Sequence, residues 1–284
     1  MNTSEIINKV SETLVKASTT FSQDKVEAYC CSIEREKNKD ASWVMETILE
    51  NAKAAENGHN PLCDDTGIPH LILEVGKNRE ISGEFLDAIY KGVELGLQKL
   101  PGRPMAIQGD DIERIEQSGG LNPLSEAVVP APIMLKYVED EATCKLTIMM
   151  QGGGPEIRAK TYRVFHKRSM DVVVEEVISW AKEVVGQLGC TPCTLAIGIG
   201  RSHYEASSYM LQAMAEGNYR KQSEYEKKIT DSINNTGVGA LGLGGNTTVL
   251  GTFLKVGPQR ASGVRIVCLR PCCCFEPRRA SVEL

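Results

Sequence analysis

The sequence predicts a mixed α/β protein, with a helical region over roughly the first sixty residues followed by a domain built around a mixed sheet. Three observations carry that expectation. Apolar residues recur at helical spacing as far as Gly58. Beyond Gly67, short β-rich runs such as residues 70–75 and 249–256 are separated by longer helical periods. No internal repeat or low-complexity linker divides the chain, so residues 1–284 are expected to form one domain, at most two-lobed, with 1–60 as its lead-in.

Each element has its own signature. Ile6, Ile7, Val10, Leu14 and Ala17 mark a first helix behind the candidate caps Thr3 and Ser4. A second helical pattern covers 23–35. A third begins near Ser42, carries Val44, Ile48, Leu49, Ala52 and Ala55 on one face, and stops at Gly58. Residues 70–75 read as a strand, and Ser82 opens a helix with Phe85, Ile89, Val93 and Leu97 inward. Five prolines between 101 and 132 predict a long loop, a feature usually tied to function. Residues 133–137 and 144–150 read as a hairpin ending in Gly152, Gly153 and Gly154. Helices are expected over 170–188, 204–216 and 224–234, an apolar run over 195–200, and strands over 249–256 and 264–269.

Composition bounds the function. With 284 residues, 42% of them hydrophobic, the chain can bury a full core, and its net charge of -5 argues against a nucleic-acid footprint. No apolar run approaches the roughly 18 residues of a membrane span, and the first residues lack the basic and apolar regions of a signal peptide. The expected location is therefore the cytoplasm, where ten cysteines point to metal ligation or thiol chemistry rather than disulfides.

The chain is organised around residues 61–67, Pro-Leu-Cys-Asp-Asp-Thr-Gly, a polar turn between a helix and a strand. Cys63 could donate a thiolate with Asp65 and Thr66 beside it, or the segment could be an Asx-type turn next to a buried cysteine. Nucleotide readings of the glycine runs fail. His203 stands where a dinucleotide fingerprint needs a small residue, and Asn246 where a phosphate loop needs lysine. Residues 190–193, Cys-Thr-Pro-Cys, have the spacing of a redox pair or half a zinc site, but no second pair exists and the usual strand-to-helix order is reversed. Single cysteines in turns at element ends remain, and Cys63, Cys190 and Cys268 fit that description. Were three thiolates to hold an iron–sulfur cubane, one iron would lack a protein ligand and could act on a substrate as a Lewis acid.

These motifs resemble, together and in order, the oxygen-sensitive class I fumarase and tartrate dehydratase family. Residues 48–53 leading into 61–67 are similar to the family's helix and its Cys-Gln-Asp-Thr-Gly turn. Residues 152–156 resemble its triple-glycine turn, 190–200 its cysteine–proline stretch, and 236–248 its Thr-Gly-Ile-Gly-rich run. The resemblance implies a [4Fe-4S] cluster held by Cys63, Cys190 and Cys268, with Cys272, Cys273 and Cys274 as rivals to the last. It places Asp65 on the active-site aspartate, Arg103 on the substrate-carboxylate arginine, and Gly153 on a backbone contact. For 236–248 it leaves open a substrate contact or a turn packed under the cluster. Three departures change charge near the pocket: Asp64 replaces glutamine, Arg260 stands where fumarases have histidine, and Asn246 replaces lysine.

The chain ends shortly after Cys268, where single-chain members of the family continue into a second domain. The resemblance is thus to the α subunit of the two-subunit form, with a β subunit, in a heterotetramer, supplying the base. The implied activity is reversible hydration of fumarate to malate, or else dehydration of L(+)-tartrate to oxaloacetate. Two readings of another kind stand beside it: a Cys190–Cys193 thiol redox protein, and a non-catalytic iron–sulfur scaffold.

Overall fold

The computed structural model describes residues 1–284. They fall into two compact units: 1–20, 52–152 and 278–284 form the first, and 21–51 with 153–277 the second. The helical lead-in exists as expected, yet it is not a body of its own. Helix α1 (Thr3–Thr19) belongs to the first unit and α2 (Gln23–Arg35) to the second, while α3 (Lys39–Gly58) contributes to both. The cap of α1 is Asn2 rather than Thr3 or Ser4, because Asn2 and Glu5 close a reciprocal capping box.

In the first unit, β1 (Ile68–Gly76) lies between β2 (Met134–Val138), which is parallel to it, and β3 (Cys144–Gln151), which is antiparallel. The predicted hairpin is therefore corrected: strands β2 and β3 are neighbours in sequence but each pairs with β1 instead. A last strand, β8 (Arg278–Glu283), closes the other edge against β3, giving the order β2-β1-β3-β8. Leu71, Leu73, Leu146, Ile148 and Met150 alternate onto one face and meet Val10 and Leu14 of α1 and Ile89, Val93 and Leu97 of α4 (Gly83–Lys99). The long loop after α4 holds a short helix, α5 (Asp111–Glu116), which begins at the capping residue Asp110.

The second unit has sheet order β4-β7-β5-β6, from β4 (Lys160–Phe165), β5 (Cys193–Gly200), β6 (Val249–Val256) and β7 (Val264–Cys272). One turn of helix, α6 (Gly153–Glu156), leads into β4. The two faces of β5 differ by residue size. Leu195, Ile197 and Ile199 join the core under α7 (Met170–Leu188) and α9 (Glu224–Asn234). Gly198, on the other face, lets α8 (His203–Glu216) come so close that a Cβ there would lie 2.0 Å from the Ala206 carbonyl oxygen. The glycines that resemble a nucleotide motif are thus a packing device. No helix is long and apolar enough to cross a membrane.

Candidate functional site

In the first unit the predicted turn is built on a buried arginine. Arg278, 2% exposed, donates from Nη1 to the Asp65 carbonyl oxygen at 2.7 Å. Gly67 has φ +87°, and a Cβ on it would stand 2.7 Å from Arg278 Nη2 and 2.9 Å from the Gln151 carbonyl oxygen. That position requires glycine both for its left-handed backbone and for space. Arg278 escaped the sequence reading, since an arginine in a charged C-terminal run resembles a solvated surface residue.

A second loop docks on the same turn. Thr66 is buried, its hydroxyl accepts from the Arg103 backbone N–H at 3.2 Å, and Gly102 sits flush against its side chain. This contact carries Arg103 to Asp64, where the guanidinium meets the carboxylate at 3.3 Å with both side chains largely exposed. The Cys63 thiol lies 3.5 Å from the other Asp64 oxygen. Asp65 and Cys63 are half-buried. Residues 63, 64 and 103 are thus gathered as a short polar cluster of a thiol, a carboxylate and a guanidinium, with Asp65 next in the chain.

In the second unit, the thiols gather around the turn after β7. The Cys274 backbone N–H donates to the Cys190 carbonyl oxygen at 2.9 Å, which fixes the two cysteines side by side. Cys190 is exposed and Cys274 buried. The Cys274 thiol is pushed well up by a hydrogen bond with Cys273 and by burial. Two side chains of α2 hold the turn from below: Tyr29 Oη donates to the Cys274 carbonyl oxygen at 2.8 Å, and Lys25 Nζ to that of Glu276 at 2.7 Å. Lys25 is 1% exposed and lies over the Phe21 ring at 4.4 Å. Burial holds its pKa down to about 8, while the neighbouring cysteines 272–274 pull it the other way.

The glycine-rich run 236–248 wraps the Cys190 side of this turn. Thr191 Oγ1 donates to the Gly239 carbonyl oxygen at 2.6 Å, the Leu241 N–H returns to the Thr191 carbonyl oxygen, and the Cys193 N–H donates to that of Thr248. Of the two readings left open for this run, its contacts here are those of a packing turn. Asn246, in place of a lysine, is committed to α2: its N–H donates to Glu36 and its amide to the Arg35 carbonyl oxygen.

Two predicted residues are not at the thiol pair. Cys268 is paired with Thr161 and Gly198 in the middle of the sheet, about 13 Å along β7 from Cys272. It is 2% exposed, and burial raises its pKa while hydrogen bonds with Thr161 and Ser207 lower it. The cysteine whose backbone meets that of Cys190 is Cys274. The strand expected to end near residue 269 instead runs on through Arg270 and Pro271 to Cys272, and delivers a later cysteine. Arg260 follows β6 beyond its pairing with Ile199, so roughly 23 Å of β5 separates it from the Cys190 end. Gly153 opens α6, and its carbonyl oxygen accepts from the Ile157 N–H at 3.0 Å.

The donor set of the Cys190 turn fits an iron–sulfur group on one observation above others. A buried ammonium normally needs an anion beside it. Lys25 forms no ion pair with a carboxylate; the groups that favour its charged form are Cys273, Cys274 and Cys272, ahead of Glu276, so a thiolate among them would supply that anion. The redox reading of Cys190 and Cys193 fares worse: Cys193 is wholly buried and its thiol is driven up by desolvation. Cys272 is occupied elsewhere, its sulfur 3.5 Å from Arg270 Nη1.

Comparison with known proteins places the chain in a family. The family model described as fumarate hydratase (Fumerase) matches residues 7–283. A protein of Methanocaldococcus jannaschii named "Putative L(+)-tartrate dehydratase subunit alpha" is 25% identical, the match covering 97% of this chain and 96% of that one. The L(+)-tartrate dehydratase subunit alpha of Escherichia coli K12 is 22% identical over 95% of this chain and 90% of its own, as is that of Shigella boydii. With the family's turn, glycine run and cysteine–proline stretch in order, and the match running through nearly the whole sequence, this chain belongs to the fumarate hydratase family of hydro-lyases.

Proposed function

We propose that this chain is the cluster-bearing α subunit of a cytoplasmic hydro-lyase that adds water to fumarate and removes it from malate. It works with a separate β subunit, in a heterotetramer. The observation that carries this reading is the pairing of Cys190 with Cys274 in a chain that matches the fumarase model from end to end. Cys190 and Cys274 are two of the thiolates for a [4Fe-4S] cluster, and the resemblance names Cys63 as the third. When bound, such a cluster supplies a Lewis-acidic iron that has no protein thiolate.

The chain's own residues bind and orient the acid. Arg103 holds a substrate carboxylate through its guanidinium fork, and Gly153 lends a backbone contact. Asp65, its backbone fixed by Arg278, orients the hydroxyl or carries its proton. The β chain contributes the base that abstracts the carbon-bound proton.

A second reading, tartrate dehydration, is favoured by one residue besides the relatives' names. Asp64 stands where the family has glutamine and already occupies Arg103. A carboxylate there repels a dicarboxylate but accepts a hydrogen bond from an extra hydroxyl, which tartrate has and malate lacks. Asp64→Gln separates the two. Relief of an exposed ion pair contributes up to about 1 kcal/mol, so the malate KM is expected to fall by up to about fivefold with kcat little changed. A rise in the tartrate KM instead identifies tartrate as the substrate.

The test of the whole reading is anaerobic reconstitution with iron and sulfide, addition of the β chain, and assay against malate and tartrate. Iron uptake with dehydration only when β is present is the expected result. Stable iron with no turnover of either acid would leave a scaffold, and no iron uptake would remove the cofactor.

A further inference from the structure

At the end of the second sheet away from the Cys190 turn, the chain gathers cations without counter-ions. A cavity of about 400 Å³ opens where α7 begins and β5 and β6 end, walled by Met170, Val173, Ile199 and Val256. Arg168, Arg265, His166 and Gln259 form its rim. A neighbouring depression of about 660 Å³ shares His166, Arg168 and Arg265 and adds Lys167. Neither is lined by a single aspartate or glutamate, on a chain whose net charge is -5.

The rim is built rather than loose. Arg265 Nη1 donates to the carbonyl oxygens of Arg260, Ser262 and Val264 at 3.4, 3.2 and 3.0 Å, so that guanidinium is pinned by backbone and paired with no carboxylate. His166 Nδ1 accepts from the Arg168 backbone N–H at 2.9 Å, which puts the ring proton on Nε2, facing the Ser262 carbonyl oxygen at 2.7 Å. The imidazole, held at both ring nitrogens, acts as a strut. Arg168 itself enters no ion pair, and its backbone, like that of Lys167, is held in the left-handed region at φ 61° and 47°. The nearest acid on α7, Asp171, is already bound by Lys228 Nζ at 2.8 Å. Gln259 Nε2 is spent on the Gly257 and Ile199 carbonyl oxygens. Ser169, at the start of the 19-residue α7, makes no side-chain cap, so the helix end adds its own positive potential to that of the arginines.

A small pocket with an apolar wall and a few convergent polar groups is the usual form of a ligand site. We infer that this cavity binds a small organic anion with an apolar body, the head on Arg168 and Arg265 and the body against Met170, Val173, Ile199 and Val256. The site is separate from the thiols by the length of β5, so its test is independent of the hydro-lyase reading.

Hexanoate, hexanol and inorganic phosphate serve as probes in calorimetric titration of the whole chain. Saturable binding of hexanoate at one site is expected, with hexanol and phosphate each at least about tenfold weaker, because one lacks the charge and the other the body. Arg168→Gln, at an exposed position, should weaken hexanoate by about tenfold with an unchanged thermal midpoint. Gln259→Glu should weaken it by a similar factor through repulsion, with a lower midpoint because the amide's bonds to the Gly257 and Ile199 carbonyl oxygens are lost. The inference is overturned by hexanoate heats that do not saturate, by Arg168→Gln binding hexanoate as tightly as the unsubstituted chain, or by phosphate binding as tightly as hexanoate.

Discussion

Replacing Cys274 by alanine should empty the chain of iron, whereas Cys268→Ala should leave it loaded. The expectation rests on where the backbone puts the two sulfurs. Cys274 is tied to Cys190 by a main-chain hydrogen bond, while Cys268 lies in the interior of β7 between β4 and β5. Ligands of one cubane must touch the same small cluster, and about 13 Å of extended strand before the turn even begins leaves Cys268 too far from Cys190 to share it. The comparison is clean because both residues are small and buried, so each substitution costs on the order of 1 kcal/mol and neither variant should fail to fold. Iron and sulfide per chain after anaerobic reconstitution, read beside thermal midpoints, decide the matter. Iron retained by Cys274→Ala and lost by Cys268→Ala would return the third ligand to the strand. Cys273→Ala is the control for the neighbouring thiol and should keep its iron.

The same region shows why the sequence was readable up to a point. Helices with a strong apolar period, such as α4 and α7, appear where their spacing put them, because burial of one face decides their register. Strands β4 and β8 are sheet edges whose sequences show no clear alternation. Edge strands carry charge that discourages pairing with other chains, and Lys160, Arg163, Arg278 and Arg279 erase the alternation that would reveal a strand. The pairing of β2 and β3 was misread because neighbouring strands usually pair, and nothing local says that β1 will come between them. Resemblance named Cys63 and Cys190 as ligands, and each stands in a turn with polar contacts of its own. It could not choose among the four cysteines 268, 272, 273 and 274, since that choice depends on how far β7 continues. A proline at 271 reads as a strand stop, yet it is tolerated here at the end of the ladder with β5.

Glu276→Ala should produce the largest loss of stability of any single substitution around the thiols. Arg270 and Glu276 both have wholly buried side chains, joined at 2.8 Å, with a second contact from Arg270 to the more exposed Glu156 at 2.9 Å. Alanine at 276 strands a guanidinium in the interior with only a half-solvated partner. Breaking a buried pair in this way costs about 3–5 kcal/mol, a third or more of the stability of an ordinary domain. Denaturant midpoints measure it directly, and a loss under about 1 kcal/mol would mean that water reaches Arg270 in solution. The double variant Arg270→Met with Glu276→Leu tells what the pair is for. Replacing both charges by apolar groups of similar volume is often neutral or stabilising by about 1–4 kcal/mol, because two desolvation costs vanish together. Its fold should survive, but the turn that Glu276 anchors would lose the geometry on which Lys25 and Tyr29 close, the one donating to the Glu276 carbonyl oxygen and the other to that of Cys274. A stable double variant that binds iron poorly is the expected outcome, and it would show that the buried ions hold the cysteine turn in one conformation at the expense of stability. A double variant that keeps both stability and iron would instead make the pair dispensable, leaving α2 alone to position Cys274.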